Sequence, residues 1–368
     1  MTDERFHLDP AIHYLNPGAV GIVPRAVAGA RARYASRAES NPMRFHRVET
    51  IPLVARAREA GAEFLGSDGI VLVRNTTEAV ATVLASIPFG DGDEILVSDH
   101  GYPTALLAAQ DRAEVRQVSF PITATPDEVV AAFAEGLRPT TKLVIVDAIT
   151  SISALVLPVE RVVALAHEHG VPVLVDAAHV PGHLRQRPAD TGADFWAGNF
   201  HKWAYAARTT AALYIAEQWR DRIRPLVPSF EHPLGFPRWF DHAGTLDYSA
   251  WMALPEALGF WREVGGWDAV DASARLLDKG VRIVADALGA NGQVGSHHAP
   301  LMRLVPLPEG WVTSPEDALA YYDELSTRHN IEVAVHFYGG QGYFRLGATI
   351  ANTEAGFEAL ADAVAEGR

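Results

Sequence analysis

Between residues 69 and 215 the chain alternates short apolar runs with helical stretches, and this alternation constrains the fold more than any other feature. Residues 69–74 (GIVLVR), 94–98 (EILVS), 142–147 (KLVIVD) and 171–176 (VPVLVD) read as buried strands, with 195–198 and 210–215 as two more. Helices are expected over 76–87, from Pro103, and over 159–169. Continuous Val/Ile/Leu runs with no polar alternation need cover on both faces, which a mostly parallel sheet between helices supplies. Such a sheet carries its ligand at the carboxyl ends of its strands.

Beyond Tyr214 the pattern changes. Residues 246–264 and 267–288 read as long helices, 301–307, 331–336 and 343–347 as strands, and 315–328 and 353–365 as further helices. This is a smaller C-terminal α+β domain, as the 368-residue length allows. The expected division is a large domain over 46–265 and a small one over 266–368. Residues 1–45, irregular and rich in Pro and Gly, are assigned to the small domain, the large domain or a contact with a neighbouring subunit.

The formal net charge is −14 and no dense Lys/Arg cluster occurs, which speaks against nucleic-acid binding. With 0 cysteines there can be no disulfide, zinc–thiolate site or thiol nucleophile; no metal is expected. The opening MTDERFHLDP lacks the apolar core of a signal peptide, and no apolar run approaches the roughly 18 residues of a membrane span, so a cytoplasmic protein is expected.

Several polar residues sit where strands end. Asn75-Thr76-Thr77 joins a strand to a helix, either as an anion cradle or as a plain helix cap. Asp176 closes VPVLVD; a carboxylate there is costly without a cationic partner, unless it caps a turn. Lys202 follows 26 residues later between aromatic neighbours Phe200 and Trp203. It is either a solvated surface lysine or a desolvated amine poised as a nucleophile toward a carbonyl. Arg345 stands mid-strand among Tyr343, Phe344 and Leu346. It is either half of an ion pair or a bidentate carboxylate clamp. The turn after residues 69–74 is Asn75-Thr76-Thr77-Glu78, not Gly-x-Gly-x-x-Gly, which excludes a nicotinamide-binding sheet.

In order, Asn-Thr-Thr, Asp-x-x-His, His-Lys and a C-terminal Arg resemble fold-type I enzymes dependent on pyridoxal 5′-phosphate (PLP). More narrowly the chain resembles the class V aminotransferase group, in its isopenicillin N epimerase-like branch, related to cysteine desulfurases. Tyr14-Leu15-Asn16-Pro17-Gly18, Asn41-Pro42-Met43-Arg44-Phe45, the stretch from Phe240 to Thr245, and Asp247 also match. The resemblance implies the α/β fold of that type, with a mostly parallel seven-stranded sheet and the small domain.

It also implies roles. Lys202 holds PLP, Asp176 faces its pyridine nitrogen, and His179 contacts the O3′ side, the alternative for His179 being a satisfied core histidine. Asn75, Thr76 and Thr77 bind the phosphate with His201 and Asn199. Gly244-Thr245 reaches the phosphate of the other subunit, so a homodimer with shared sites is expected. Tyr102 is expected to cover the cofactor ring, with His100 as runner-up. Arg345 binds the substrate α-carboxylate, and Asn16 lines the same pocket. One departure stands out: Ala148 occupies a position where relatives carry His, while Thr150 and Ser151 remain polar near the cofactor.

PLP chemistry leaves several reactions at Cα. Without cysteine the chain cannot accept sulfur on a thiol of its own, so it is not expected to be a desulfurase. β-Elimination from a cysteine S-conjugate needs one base, Lys202. Epimerisation needs a second acid such as Tyr102. Transamination or a decarboxylative oxidative deamination remains a third class, and a non-catalytic PLP-fold binding protein a fourth. The expectation is a C–S β-lyase of secondary metabolism, such as antibiotic biosynthesis. Phe45, Trp239, Phe240, Phe337 and Tyr338 are candidates to contact a bulky side chain, or to pack the core.

Overall fold

The computed structural model describes residues 3–290 and 298–367. Seven strands form the central sheet: β1 (Ile70–Val73), β2 (Glu94–Ser98), β3 (Glu114–Val118), β4 (Thr141–Asp147), β5 (Val173–Asp176), β6 (Phe195–Asn199) and β7 (Ala211–Ile215). Their order is β1-β7-β6-β5-β4-β2-β3. Only β7 runs against its neighbours; the other pairings are parallel. Successive residues of each strand feed opposite cores. Val71, Val73, Ile95, Val97, Leu143, Ile145 and Leu174 pack under the helix Thr76–Ser86. Ile70, Leu72, Leu96, Val144, Val146, Val173 and Val175 pack on the other face. Burying each such side chain stabilises the fold by roughly 1.5–3 kcal/mol.

Strand β3 was not expected from the sequence. It is the edge of the sheet, and its EVRQV alternates toward solvent instead of reading as a buried run.

The small domain is an antiparallel sheet of β8 (Met302–Pro306), β9 (Ala334–Tyr338) and β10 (Gln341–Gly347), in the order β9-β10-β8. Gly339 and Gly340 close the β9–β10 hairpin with φ of +58° and +82°, the left-handed conformation that a two-residue hairpin turn needs. The helices Trp267–Ala287, Pro315–His329 and Glu354–Ala365 belong to this part of the chain.

Two expectations are corrected. Residues 1–45 are not irregular throughout: Arg25–Ser40 is a helix of 16 residues following Pro24. Its Ala/Arg composition favours helix, but only Val27 and Ala30 are buried, so no apolar stripe marked it. The long helix expected over 246–264 is two helices, Ser249–Met252 and Leu254–Glu263. Pro255, with no N–H to donate, sits in the first turn of the second, where that lack costs nothing.

The N-terminal segment touches both halves. Phe6, Ile22, Val27 and Ala30 join the large core. His13–Tyr14 pairs in parallel with Ile331–Glu332 of the small domain, and the Asn352 side-chain amide donates to the Tyr14 carbonyl at 2.7 Å.

Candidate active site

The carboxyl ends of β1, β4, β5 and β6 converge on a cavity of about 480 Å³, to which the small domain contributes His336 and Arg345. Asn75, Thr76, Thr77, Tyr102, Asp147, Asp176, His179, Asn199, His201, Lys202, His336 and Arg345 all line it.

Lys202 lies in the short helix Phe200–Trp203 that follows β6. Its Nζ is 3.1 Å from His179 Nε2. Trp203 Nε1, which can only donate, points at His179 Nδ1 at 3.4 Å. Burial and the Lys202 charge hold the His179 pKa well below its ordinary value, so the ring is neutral. Its one proton is therefore assigned to Nε2, facing the Lys202 lone pair. The lysine fits that role: burial, then the Arg345 guanidinium, lower its pKa to about 7, against the opposing pull of Asp176 and Asp147.

The backbone turn carrying Lys202 is packed tightly from behind. A Cβ on Gly21 would collide with the His201 and Lys202 carbonyl oxygens, so only glycine permits that approach.

Asp176 and Asp147 end adjacent parallel strands and stand in register with each other. Both carboxyls are buried. Burial raises the Asp176 pKa, offset by the Ala178 N–H, which donates to Oδ1 at 3.0 Å, and by Lys202. Burial and repulsion from Asp176 push Asp147 well above the usual carboxylate range. Asp147 is thus the more strongly raised of the two, and Asp176, with its N–H donor and the nearby amine, is the better placed to hold a charge. Asp147 was missed from the sequence, although it closes KLVIVD just as Asp176 closes VPVLVD.

At the helix Thr76–Ser86, the Asn75 side chain caps the Glu78 N–H at 2.8 Å. Asn199 Oδ1 accepts from the Thr76 N–H at 3.0 Å. The Thr76 hydroxyl is buried with no hydrogen-bond partner among the described residues. His201 Nδ1 is 3.1 Å from the Thr210 carbonyl, and burial, then Lys202, bring its pKa to about 4. An anion bound beside it would reverse that shift.

Arg345 is buried on β10, and burial lowers its pKa to about 10. It donates to the Ser151 carbonyl and, at 3.0 Å, to Asn16 Oδ1. Among the described residues no carboxylate forms an ion pair with it. The cation is therefore oriented by neutral acceptors and faces the cavity without a counter-ion.

Other expected residues lie elsewhere. Asn16 stands behind Arg345 instead of lining the cavity. Thr150 is also outside it: its hydroxyl lies 2.7 Å from Ser153 Oγ and accepts from the Leu155 N–H at 2.8 Å, fixing a turn, while its neighbours Ile149 and Ser151 reach the cavity. Thr245 is exposed and away from this chain's cavity. His100 is fully buried, stacked on Phe120 at 4.3 Å, and excluded from the cavity that Tyr102 lines. Phe45, Trp239 and Phe240 are core residues, Phe337 packs against the small-domain core, and Tyr338 donates to Asp99 at 3.0 Å. None of the five lines the cavity.

These groups fit PLP. A hydroxyl without a partner among the described residues at a helix N-terminus suits a phosphate, the buried Asp176 carboxyl suits a protonated pyridine, and a desolvated amine suits the aldehyde carbon.

Comparison with known proteins agrees. The family model "Aminotransferase class-V" matches residues 13–296. Isopenicillin N epimerase of Streptomyces clavuligerus is 30% identical, over 98% of this chain and 96% of that one. L-cysteine desulfhydrase of Arabidopsis thaliana is 27% identical, over 100% of this chain and 90% of that one. Among solved structures, the cystine C–S lyase C-DES superposes with a TM-score of 0.82 at 20% identity, covering 96% of this chain and 97% of that one. The cysteine desulfurase CsdA of Escherichia coli gives 0.78 at 22% identity, covering 98% and 96%. The fold is accordingly that of PLP fold type I, and the chain belongs to the class V aminotransferase family of pyridoxal 5′-phosphate enzymes.

Proposed function

We propose that the chain is a C–S β-lyase that, with one water, cleaves a cysteine S-conjugate to pyruvate, ammonia and a thiol, in a homodimer whose sites are shared between subunits. The observation that carries this reading is the pairing of a proton-accepting amine, Lys202, with an unpaired guanidinium, Arg345, in one cavity. Arg345 binds the α-carboxylate with its two-pronged fork, held in plane by Asn16 and the Ser151 carbonyl. Lys202 would hold the cofactor through Nζ, and the same atom, as a free amine, would take the Cα proton.

When bound, PLP supplies a conjugated electron sink for the charge left at Cα. Asp176 would keep the pyridine nitrogen protonated, and the His179 Nε2–H, which faces Lys202, would donate to the ring oxygen. Thr76 and Thr77 hold the phosphate with His201, and Asn75 and Asn199 fix the backbone that presents it. Tyr102 covers the ring, and Thr245 of the partner subunit completes the phosphate site.

Two observations favour elimination. One base suffices for it, whereas epimerisation requires a second acid fixed on the opposite face, and Tyr102 is 44% exposed. The chain has 0 cysteines to accept sulfur, so the sulfur leaves on the small molecule. A relative named L-cysteine desulfhydrase supports the same choice.

The test incubates holoenzyme with single enantiomers of cysteine S-conjugates and follows pyruvate, free thiol and optical rotation. Pyruvate and thiol in equal amounts are expected. Racemised substrate, or a keto acid that retains its sulfur, overturns the lyase reading in favour of an epimerase or an aminotransferase.

A further inference from the structure

The β9–β10 hairpin sends two charged or titratable side chains into the cavity, and the reading above uses only Arg345. In the antiparallel register Ala334 stands opposite Arg345 and His336 opposite Tyr343. His336 and Arg345 therefore share a face as diagonal neighbours. Val335 and Phe337 alternate to the other side and pack against the small-domain core. Both His336 and Arg345 line the cavity.

Nε2 of His336 is shielded from solvent and has no hydrogen-bond partner among the described residues. A buried polar nitrogen in that state is unfavourable, and such groups normally have a partner. Burial, with the Arg345 charge beside it, lowers the His336 pKa to about 3. The ring is neutral at pH 7 and offers one N–H and one lone pair. Next to a guanidinium a second cation is repelled, whereas an acceptor is attracted.

We infer that His336 reads the substrate's side chain, donating a hydrogen bond to a carbonyl or carboxylate oxygen carried on the sulfur substituent. The inference rests on Arg345 holding the α-carboxylate. Diagonal neighbours on an antiparallel pair lie about 7–8 Å apart. S-Carbamoylmethyl-L-cysteine carries its amide oxygen several bonds beyond the α-carboxylate and so presents a second polar group to a second side chain of the cavity, which cysteine itself lacks. His336 thereby selects a polar conjugate over a hydrocarbon one of the same shape.

The test compares S-carbamoylmethyl-L-cysteine with its near-isostere S-isobutyl-L-cysteine. Kd for the holoenzyme is read from the change in visible absorbance on rapid mixing, before turnover. Wild type should prefer the amide by about ten- to hundredfold. His336→Leu should abolish that preference while leaving the Kd of the hydrocarbon within about twofold. His336→Gln, which keeps a donor, should restore most of the preference. If His336→Leu fails to fold, His336→Ala is read in the same way. An undiminished preference in the Leu or Ala variant, or none in wild type, overturns the role of His336 and leaves Arg345 untouched. No absorbance change with either compound overturns the amino-acid site and this inference together.

Discussion

Replacing Lys202 by Met should make the cofactor-free protein more stable, by an amount whose pH dependence follows from the site. Burial and the Arg345 guanidinium bring the amine from 10.5 down to about 7. In the unfolded chain it returns to 10.5. Between those values the unfolded state binds the extra proton, so wild-type stability rises with pH across that window. Below pH 7 both states are protonated, and the full cost of holding an ammonium in the cavity is present. At about 1.4 kcal/mol per pH unit the whole shift is an upper bound of about 5 kcal/mol. Lys202 is only partly buried, and screening reduces the figure to about 2 kcal/mol. Met has similar reach and no charge. The Lys202→Met apo-protein should therefore exceed wild type by about 2 kcal/mol at pH 6 and by about 1 kcal/mol at pH 9. Urea unfolding of both proteins at the two pH values measures this. A difference that is constant, or larger at pH 9, would falsify the claim that the folded site depresses this amine.

Asp176→Asn should retain PLP through the phosphate site but lose at least about a hundredfold in kcat, since the electron sink loses its protonated nitrogen; near-normal turnover contradicts the role. Arg345→Lys should raise KM about ten- to hundredfold with little change in melting temperature; early melting with an unchanged KM would make Arg345 structural. Mixing inactive Lys202→Ala with inactive Thr245→Glu subunits should recover about a quarter of the wild-type sites, because one site of each hybrid dimer is whole; proven subunit exchange without recovery argues against the shared site.

Much of this was legible in the sequence because the strands announce themselves. Residues 143–147 and 173–176 are buried at every position, and a residue ending such a run must lie at the sheet's carboxyl edge. That placed Asp176 correctly and could have placed Asp147 by the same reasoning. Thr150 misled because a hydroxyl between two cavity residues looks available, and only the fold shows it bonded to its own turn. The choice between His100 and Tyr102 depended on where β2 ends and the chain bends back. His336 carried a readable signal, a lone imidazole alternating with Val335 and Phe337, but its meaning depended on register with Arg345. The helix Arg25–Ser40 has few buried residues, so periodicity had little to report.

The segment from His13 to Gly21 has a consequence for how such a pocket can change over evolutionary time. One end is hydrogen-bonded into the small domain, Asn16 orients Arg345, and Gly21 is wedged against the turn that carries Lys202. An inserted or deleted residue in this tie must break the pairing at one end or displace the lysine at the other. The opposite wall, the β9–β10 hairpin, has β9 at the edge of its sheet, hydrogen-bonded to β10 alone among the described strands, and its two-glycine turn accepts new neighbours without moving either catalytic end. Drift toward a new substrate is therefore channelled into the hairpin, while the N-terminal wall stays fixed in length.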